Sequence, residues 1–223
     1  GLEKAKPAME YLRDAGVGCG VRITIGEFNL SQLASIIGAI ENTGLKRFAV
    51  CQHIDGSDWK AVKEERREII DFLIDYAMKN PEMEVVTEQL YDDGVYLLQR
   101  VAEHEPELAV EMEKLLARQG GCPAGDRIVN VDYRGNVHLC PYWQYRTIGN
   151  IREQKLSDIC FDEENEILAM MKDKTQHLKG KCGRCMHKHL CRGCGARAEE
   201  MCGDLFGTDP ACYLTEEEVA AVR

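Results

Sequence analysis

The sequence predicts an α/β chain in two parts. Parallel strand–helix units run to about residue 90, and a small cysteine-rich α+β domain with a β-hairpin follows from about residue 121. Three observations predict this. Short runs with alternating apolar residues (Val21, Ile23, Ile25; Phe48, Val50) are separated by longer stretches of helical spacing, and strand–helix–strand order implies parallel pairing. Arg134-Gly135-Asn136 sits between two later apolar runs and offers the positive φ that a hairpin turn requires. The chain also holds 11 cysteines in 223 residues, most of them after Gly121.

Taken in order, residues 2–15 have helical spacing (Leu2, Ala5, Met9, Leu12) and stop at Gly16. Residues 17–25 read as a strand with Cys19 inside it as a small buried apolar residue. Asn29 is placed to cap a helix whose apolar face is Leu30, Leu33, Ile36, Ile37 and Ile40. Residues 47–51 read as a second strand. Residues 59–79 form a long charged helix with Ile69, Ile70, Leu73 and Ile74 inward, and residues 84–87 a third strand. Residues 91–118 are helical with a break at Pro106, and Gln119-Gly120-Gly121 ends them. Past that point Ile128, Val131 and Tyr133 pair across the turn with Val137 and Leu139, which brings Cys122 near Cys140. Residues 156–159 and 163–172 read as short helices leading to the dense cysteine run, and residues 216–218 as a helix start. The expected domains are therefore 1–90, bridging helices 91–120, and 121–223.

A formal net charge of −10 argues against nucleic acid as an electrostatic partner, and no apolar run reaches the length of a membrane span. Eleven cysteines in a charged chain without a secretory leader point to a reducing, cytoplasmic setting and to metal rather than disulfides. Cys182-Gly-Arg-Cys185 and Cys191-Arg-Gly-Cys194 each aim two sulfurs at one place, and soft thiolates in such turns select zinc or iron–sulfur clusters.

The seven thiols Cys122, Cys140, Cys182, Cys185, Cys191, Cys194 and Cys212, with Gly135 between the first two, resemble the seven-cysteine pattern of the SPASM domain, the C-terminal extension of many radical SAM enzymes. The dense run departs from the usual pattern, with two residues rather than three between Cys191 and Cys194. This departure is similar to the haem-pathway branch, as are Gly121-Cys122-Pro123-Ala124-Gly125, Gly149-Asn150-Ile151-Arg152-Glu153 and Asp209-Pro210-Ala211-Cys212-Tyr213-Leu214. The resemblance implies that residues 1–90 are the back half of a partial parallel β/α barrel. It implies two auxiliary four-iron, four-sulfur clusters, one on Cys182, Cys185, Cys191 and Cys212 and one on Cys122, Cys140 and Cys194. Cys160 and Cys202 are candidates for a supplementary ligand on the second. No Cys-x3-Cys-x2-Cys loop for a SAM-cleaving cluster occurs, so SAM, a third cluster and activity are expected only with a missing N-terminal radical SAM half.

The function implied is electron transfer or substrate binding in oxidative side-chain modification of a porphyrin. Alternatives are a SPASM maturase acting on a ribosomally made peptide, a zinc-stabilised binding module using Cys182, Cys185, Cys191 and Cys194, and a free-standing electron carrier. Cys51 and Gln52, with His53, fall at a strand end of the kind that faces a barrel's active site. Together with Arg127 and Arg192 they are the candidate pocket residues; Arg146, Arg152 and Arg197 join the arginines that could hold propionates, or simply balance local acids. His187 and His189 read as solvated loop residues. Trp143 and Tyr142 read as a cover over a cluster or as plain packing.

Overall fold

The computed structural model describes residues 2–26, 28–52, 59–88 and 91–220, and the chain divides into two compact units, residues 1–93 and 94–223. The first unit opens with α1 (Leu2–Asp14), closed off where Gly16 takes a left-handed φ of +68°. Strands β1 (Val21–Ile25), β2 (Arg47–Gln52) and β3 (Glu84–Glu88) form one parallel sheet in that order, with Thr24 opposite Cys51 and Cys51 opposite Glu88. The crossovers are α2 (Leu33–Glu41) and α3 (Trp59–Lys79).

Their apolar faces are the expected ones. Leu33, Ile37 and Ile40 of α2 and Ile69, Ile70 and Leu73 of α3 are buried, as are Ile23, Ile25, Phe48 and Val50 of the sheet. Each such side chain contributes roughly 1.5–3 kcal/mol by leaving water. Arg66 of α3 is fully buried and donates from Nε to Asp93 Oδ1 at 3.0 Å. Its second nitrogen also pairs with that carboxylate.

Two local expectations change. The first strand begins at Val21 rather than at residue 17, because Gly18 and Gly20 flank Cys19 and offer no side chain to pack. A Cβ at Gly20 would lie 3.0 Å from the Arg47 carbonyl oxygen, so the backbones approach closely there and Cys19 is left half-buried. Asn29 precedes a short 3-10 turn at Leu30–Gln32 and makes no side-chain cap. Its Oδ1 instead accepts from Gly26 N and its Nδ2 donates to Thr24 O, both at 3.0 Å, which ties the chain leaving β1.

The second unit begins within α4 (Asp92–His104), followed by α5 (Pro106–Gln119), with Pro106 at the start of the new helix as its fixed φ and missing N–H allow. A Cβ on Gly94 would meet Leu116 at 2.9 Å, so the start of α4 lies tight against the end of α5. Next come β4 (Asn130–Val131), β5 (Asn136–His138) and β6 (Thr147–Asn150) in an antiparallel sheet of that order. The β4–β5 turn carries Gly135 at φ +88°, and Asp132 Oδ1 accepts from the backbone N–H of Arg134 and Asn136.

Among the described residues, seven short helices follow: α6 (Leu156–Cys160), α7 (Glu166–Lys172), α8 (Lys174–His177), α9 (Gly180–Arg184), α10 (Lys188–Cys191), α11 (Gly195–Cys202) and α12 (Glu216–Ala220). Among the described residues no helix is long and apolar enough to cross a membrane.

Candidate metal centre

The centre is built wholly within the second unit, from turns that are far apart in sequence. Cys122 follows Gly121, whose φ of +72° and lack of a side chain are both required, since a Cβ there would sit 2.6 Å from the Leu190 carbonyl oxygen. That clearance lets Cys122 N donate to Cys191 O at 3.0 Å, laying the approach to the hairpin against the end of α10. Arg127 holds the same corner, donating to the carbonyls of Gln119, Gly120 and Gly121 at 2.9, 2.6 and 2.9 Å.

Cys140 leaves the end of β5 behind the buried Leu139, in a turn closed by Trp143 N–H donating to Cys140 O at 3.1 Å. Cys194 stands at the N-cap of α11, where its backbone N–H donates to Asp209 Oδ2 at 3.1 Å. Cys122 acts electrostatically on both Cys140 and Cys194, so these three thiols share one neighbourhood.

The second group is carried by α9 and the turn after it. Cys182 lies in α9 beside Cys185, and its sulfur accepts from Asp209 N at 3.3 Å. Gly180, at φ +57°, lets α9 start directly against Thr208, whose Oγ1 accepts from Lys181 N at 2.9 Å. Lys179 N adds a bond to Phe206 O at 2.8 Å, and Lys181 Nζ reaches the carbonyls of Cys212 and Leu214. The segment bearing Cys212 is thereby tied to the helix bearing Cys182.

Asp209 joins the two groups. Buried to 4% exposure, it accepts from Cys194 N at 3.1 Å, from Arg197 at 2.9 and 2.7 Å, and from Ala211 N at 3.1 Å, while its own N–H serves Cys182.

Burial pushes the thiols of Cys140, Cys182 and Cys194 up from their ordinary range. Nearby backbone N–H groups pull the other way, as does the Lys174 ammonium at Cys140 and Cys182. Buried thiols of this kind stay protonated until a metal takes the proton's place, because the ligand is the thiolate. The N–H···S bond from Asp209 to Cys182 is of the kind that holds and tunes cluster sulfurs.

Around the thiols, Trp143 is fully buried and donates from Nε1 to Glu199 Oε2 at 2.7 Å, with Arg146 paired to the same carboxylate. Desolvation pushes Glu199 up, but the bonds from Arg146 and Trp143 prevail and hold it below the usual carboxylate range.

The arginines named from the sequence are committed to the protein itself. Arg192 bonds Asp126 at 2.6 Å and the carbonyls of Met171 and Lys172, Arg152 bonds the carbonyls of Arg134 and Tyr133, and Arg197 and Arg146 serve Asp209 and Glu199. Cys51 is buried in the first unit, with its sulfur 3.3 Å from Thr24 Oγ1. His53 and the side chain of Gln52 lie outside the described residues. Cys160 is half-buried at the end of α6, and Cys202 is exposed at the end of α11.

His189 is half-exposed as expected, but His187 is buried, with Nε2 3.1 Å from Gln99 Nε2. His138 is buried too, its Nδ1 3.0 Å from Arg146 O. Sequence reasoning gave no role to Lys174, Glu199 or His187, and treated Asp209 only as part of a motif. The one local signal available was the short Asp209-Pro210-Ala211 turn, in which an Asp oxygen bonds the N–H two residues on.

The cysteines are free of disulfides, and among the described residues no three His, Cys, Asp or Glu side chains meet round a single ion position. A lone zinc draws four sulfurs to about 2.3 Å from one point, whereas a four-iron cluster takes its thiolates at separate corners. Thiols gathered this way, with the Asp209 N–H given to the Cys182 sulfur, are of a kind to ligate an iron–sulfur cluster or zinc.

Comparison with known proteins agrees. The iron–sulfur cluster-binding domain family named SPASM matches residues 122–186. An Fe-coproporphyrin III synthase of Methanosarcina barkeri is 31% identical over 98% of this chain and 58% of its own length. A pre-heme d1 synthase of Dinoroseobacter shibae is 30% identical over 97% of this chain and 56% of its own. The chain thus spans less than three fifths of either relative. SuiB of Streptococcus suis, solved with S-adenosylmethionine, shares the fold at a TM-score of 0.64 and 17% identity, over 95% of this chain and 49% of that one. Residues 122–186 thus match the SPASM iron–sulfur cluster-binding domain, and the chain is similar in sequence to haem-pathway synthases.

Proposed function

We propose that this chain supplies the auxiliary-cluster region of a radical SAM/SPASM enzyme that modifies tetrapyrrole side chains oxidatively in the cytoplasm, working with a radical SAM half that binds SAM. The SPASM domain in this reading runs past the matched residues to the tail, over 121–223. Cys182, Cys185, Cys191 and Cys212 hold one four-iron cluster, and Cys122, Cys140 and Cys194 the other, with Cys160 and Cys202 as candidates for its remaining position. Such clusters, when bound, supply one-electron transfer or an open iron for a substrate carboxylate.

The observation that carries the reading is the bond from Cys122 N to Cys191 O, which lays the hairpin approach on the dense run, where Cys122 is felt at Cys140 and Cys194, and Cys185 at Cys182. This chain's own residues then do three things. The thiols bind, the Asp209 N–H orients the Cys182 sulfur, and the Asp209 carboxylate fixes Cys194 through its backbone N–H. The relatives named as haem-pathway synthases favour a tetrapyrrole over a peptide.

Anaerobic reconstitution of the 223-residue chain, with iron and sulfide analysis and EPR, tests this. Two clusters are expected in the parent, and Cys122→Ala and Cys212→Ala should each lose a different one. A colourless protein with stoichiometric zinc, or a structure with Cys191 and Cys194 on one ion, would overturn it.

A further inference from the structure

Lys174, the first residue of α8, is 1% exposed, and its Nζ donates to Gly193 O at 2.8 Å. Among the described residues that carbonyl is its hydrogen-bond acceptor, and no carboxylate pairs with it. An ammonium removed from water in this way is strongly disfavoured unless negative charge lies close by.

Three arginines near the centre already have carboxylate partners, and Lys181 gives its Nζ to the carbonyls of Cys212 and Leu214. Arg197 is held by Asp209, Arg192 by Asp126 and Arg146 by Glu199. The position of Lys174 shows where its counter-charge lies. Gly193 stands between the groups: a Cβ there would be 3.4 Å from Cys182 Sγ, and the next residue is Cys194. The Lys174 charge is also felt at both Cys140 and Cys182, one thiol of each group.

We propose that Lys174 is a buried counter-charge shared by the two thiolate groups, and that it raises the reduction potential of both clusters they hold. The proposal rests on the cluster reading above. Reduction adds one electron, supplied in a titration by dithionite, to a centre that is already anionic through its thiolates. A cation fixed in a medium of low dielectric favours the more negative, reduced state, and salt screens it little. Lys174 is a positioning and tuning residue in this scheme, since the thiolates and not the substrate are what it faces.

The test compares the parent chain with K174M and K174R, reconstituted anaerobically, by iron and sulfide content and by EPR-monitored redox titration. K174M should keep its iron while the midpoint potentials of both clusters fall, and K174R should return them toward the parent values. Loss of iron in K174M with retention in K174R would equally support a role of the charge. Unchanged midpoints in a fully loaded K174M would overturn the proposal, and so would equal loss of iron in both variants, which would assign Lys174 to packing. A parent chain that takes up no iron would sink the cluster reading itself, and that outcome is read before any variant is made.

Discussion

Gly121 and Gly203 have the same left-handed φ of +72°, but a Cβ at Gly203 would meet nothing within 4 Å, whereas at Gly121 it would press on backbone. Alanine at either position takes on the cost of the left-handed region, about 1–2 kcal/mol. At Gly121 the added carbon would lie 2.6 Å from Leu190 O and 3.0 Å from Cys191 O, atoms that cannot swing aside as a side-chain tip can. The segment must move, at about 1–3 kcal/mol for overpacking, and the Cys122 N to Cys191 O bond goes with it, for about 1 kcal/mol more. G121A should therefore lose about 3–6 kcal/mol of second-unit stability against about 1–2 for G203A. Urea titration read by hydrogen exchange of peptides from residues 122–214 measures this in the metal-free chain, unit by unit. G121A should also impair loading of the cluster that uses Cys122 and of the one that uses Cys191, whose carbonyl the added carbon displaces. If the two variants lose stability equally, or G121A loads both clusters, the tight approach of Gly121 to α10 is not what places Cys122.

Chelation of the reconstituted chain should raise hydrogen exchange across residues 121–214 well before residues 1–88, because ligation supplies folding free energy where apolar packing is sparse; equal changes in both units would contradict this. Trp143→Phe removes the Nε1 donor to Glu199, and a lost bond to a charged group predicts about 1.5–3 kcal/mol of second-unit destabilisation by urea titration. Desolvation pushes Asp132 up, yet bonds from Asn136 and Arg134 prevail and hold it at about 2, below its unfolded value of about 3.9. That stability is present above about pH 4 and is lost as pH falls to about 2, so Asp132→Asn should flatten the acid limb of the metal-free chain's stability curve between those values. An acid limb of unchanged slope would count against it.

The first unit was legible because its physics is local. Alternation at Val21, Ile23 and Ile25, and helical spacing at Leu33, Ile37 and Ile40, each report one buried face, and the parallel sheet follows from their order. The thiols of the second unit were legible for another reason, since sulfur chemistry is written in spacing rather than in periodicity. What was not legible has no local pattern. Strand β6 offers Thr147, Ile148, Gly149 and Asn150, too short and too glycine-rich to announce itself, and it exists because Gly149 packs directly under Ile159. Helices α8, α9 and α10 are shorter than the window that shows a helical period. Lys174 and Glu199 look in sequence like surface charges on short helices. Their burial depends on Gly193 and Trp143, residues brought to them only by the finished fold.

Those long-range ties explain how a unit with so little regular structure can present thiols in fixed places. Each cysteine-bearing turn is bonded through its backbone to a turn from elsewhere in the sequence: Cys122 N to Cys191 O, Cys194 N to Asp209, Cys182 Sγ from Asp209 N, and Lys181 to the carbonyls of Cys212 and Leu214. The bonds link the hairpin approach to the dense run, and the dense run to the tail, along the same three segments that the two proposed ligand sets would connect. Metal and hydrogen bonds thus close the same loops, and each lowers the entropy cost of the other. Asp209 is the point where this coupling concentrates, because it touches a ligand from each set and orients Arg197 as well. A change at Asp209 should therefore act on both clusters at once, through its bonds to Cys194 N and Cys182 Sγ.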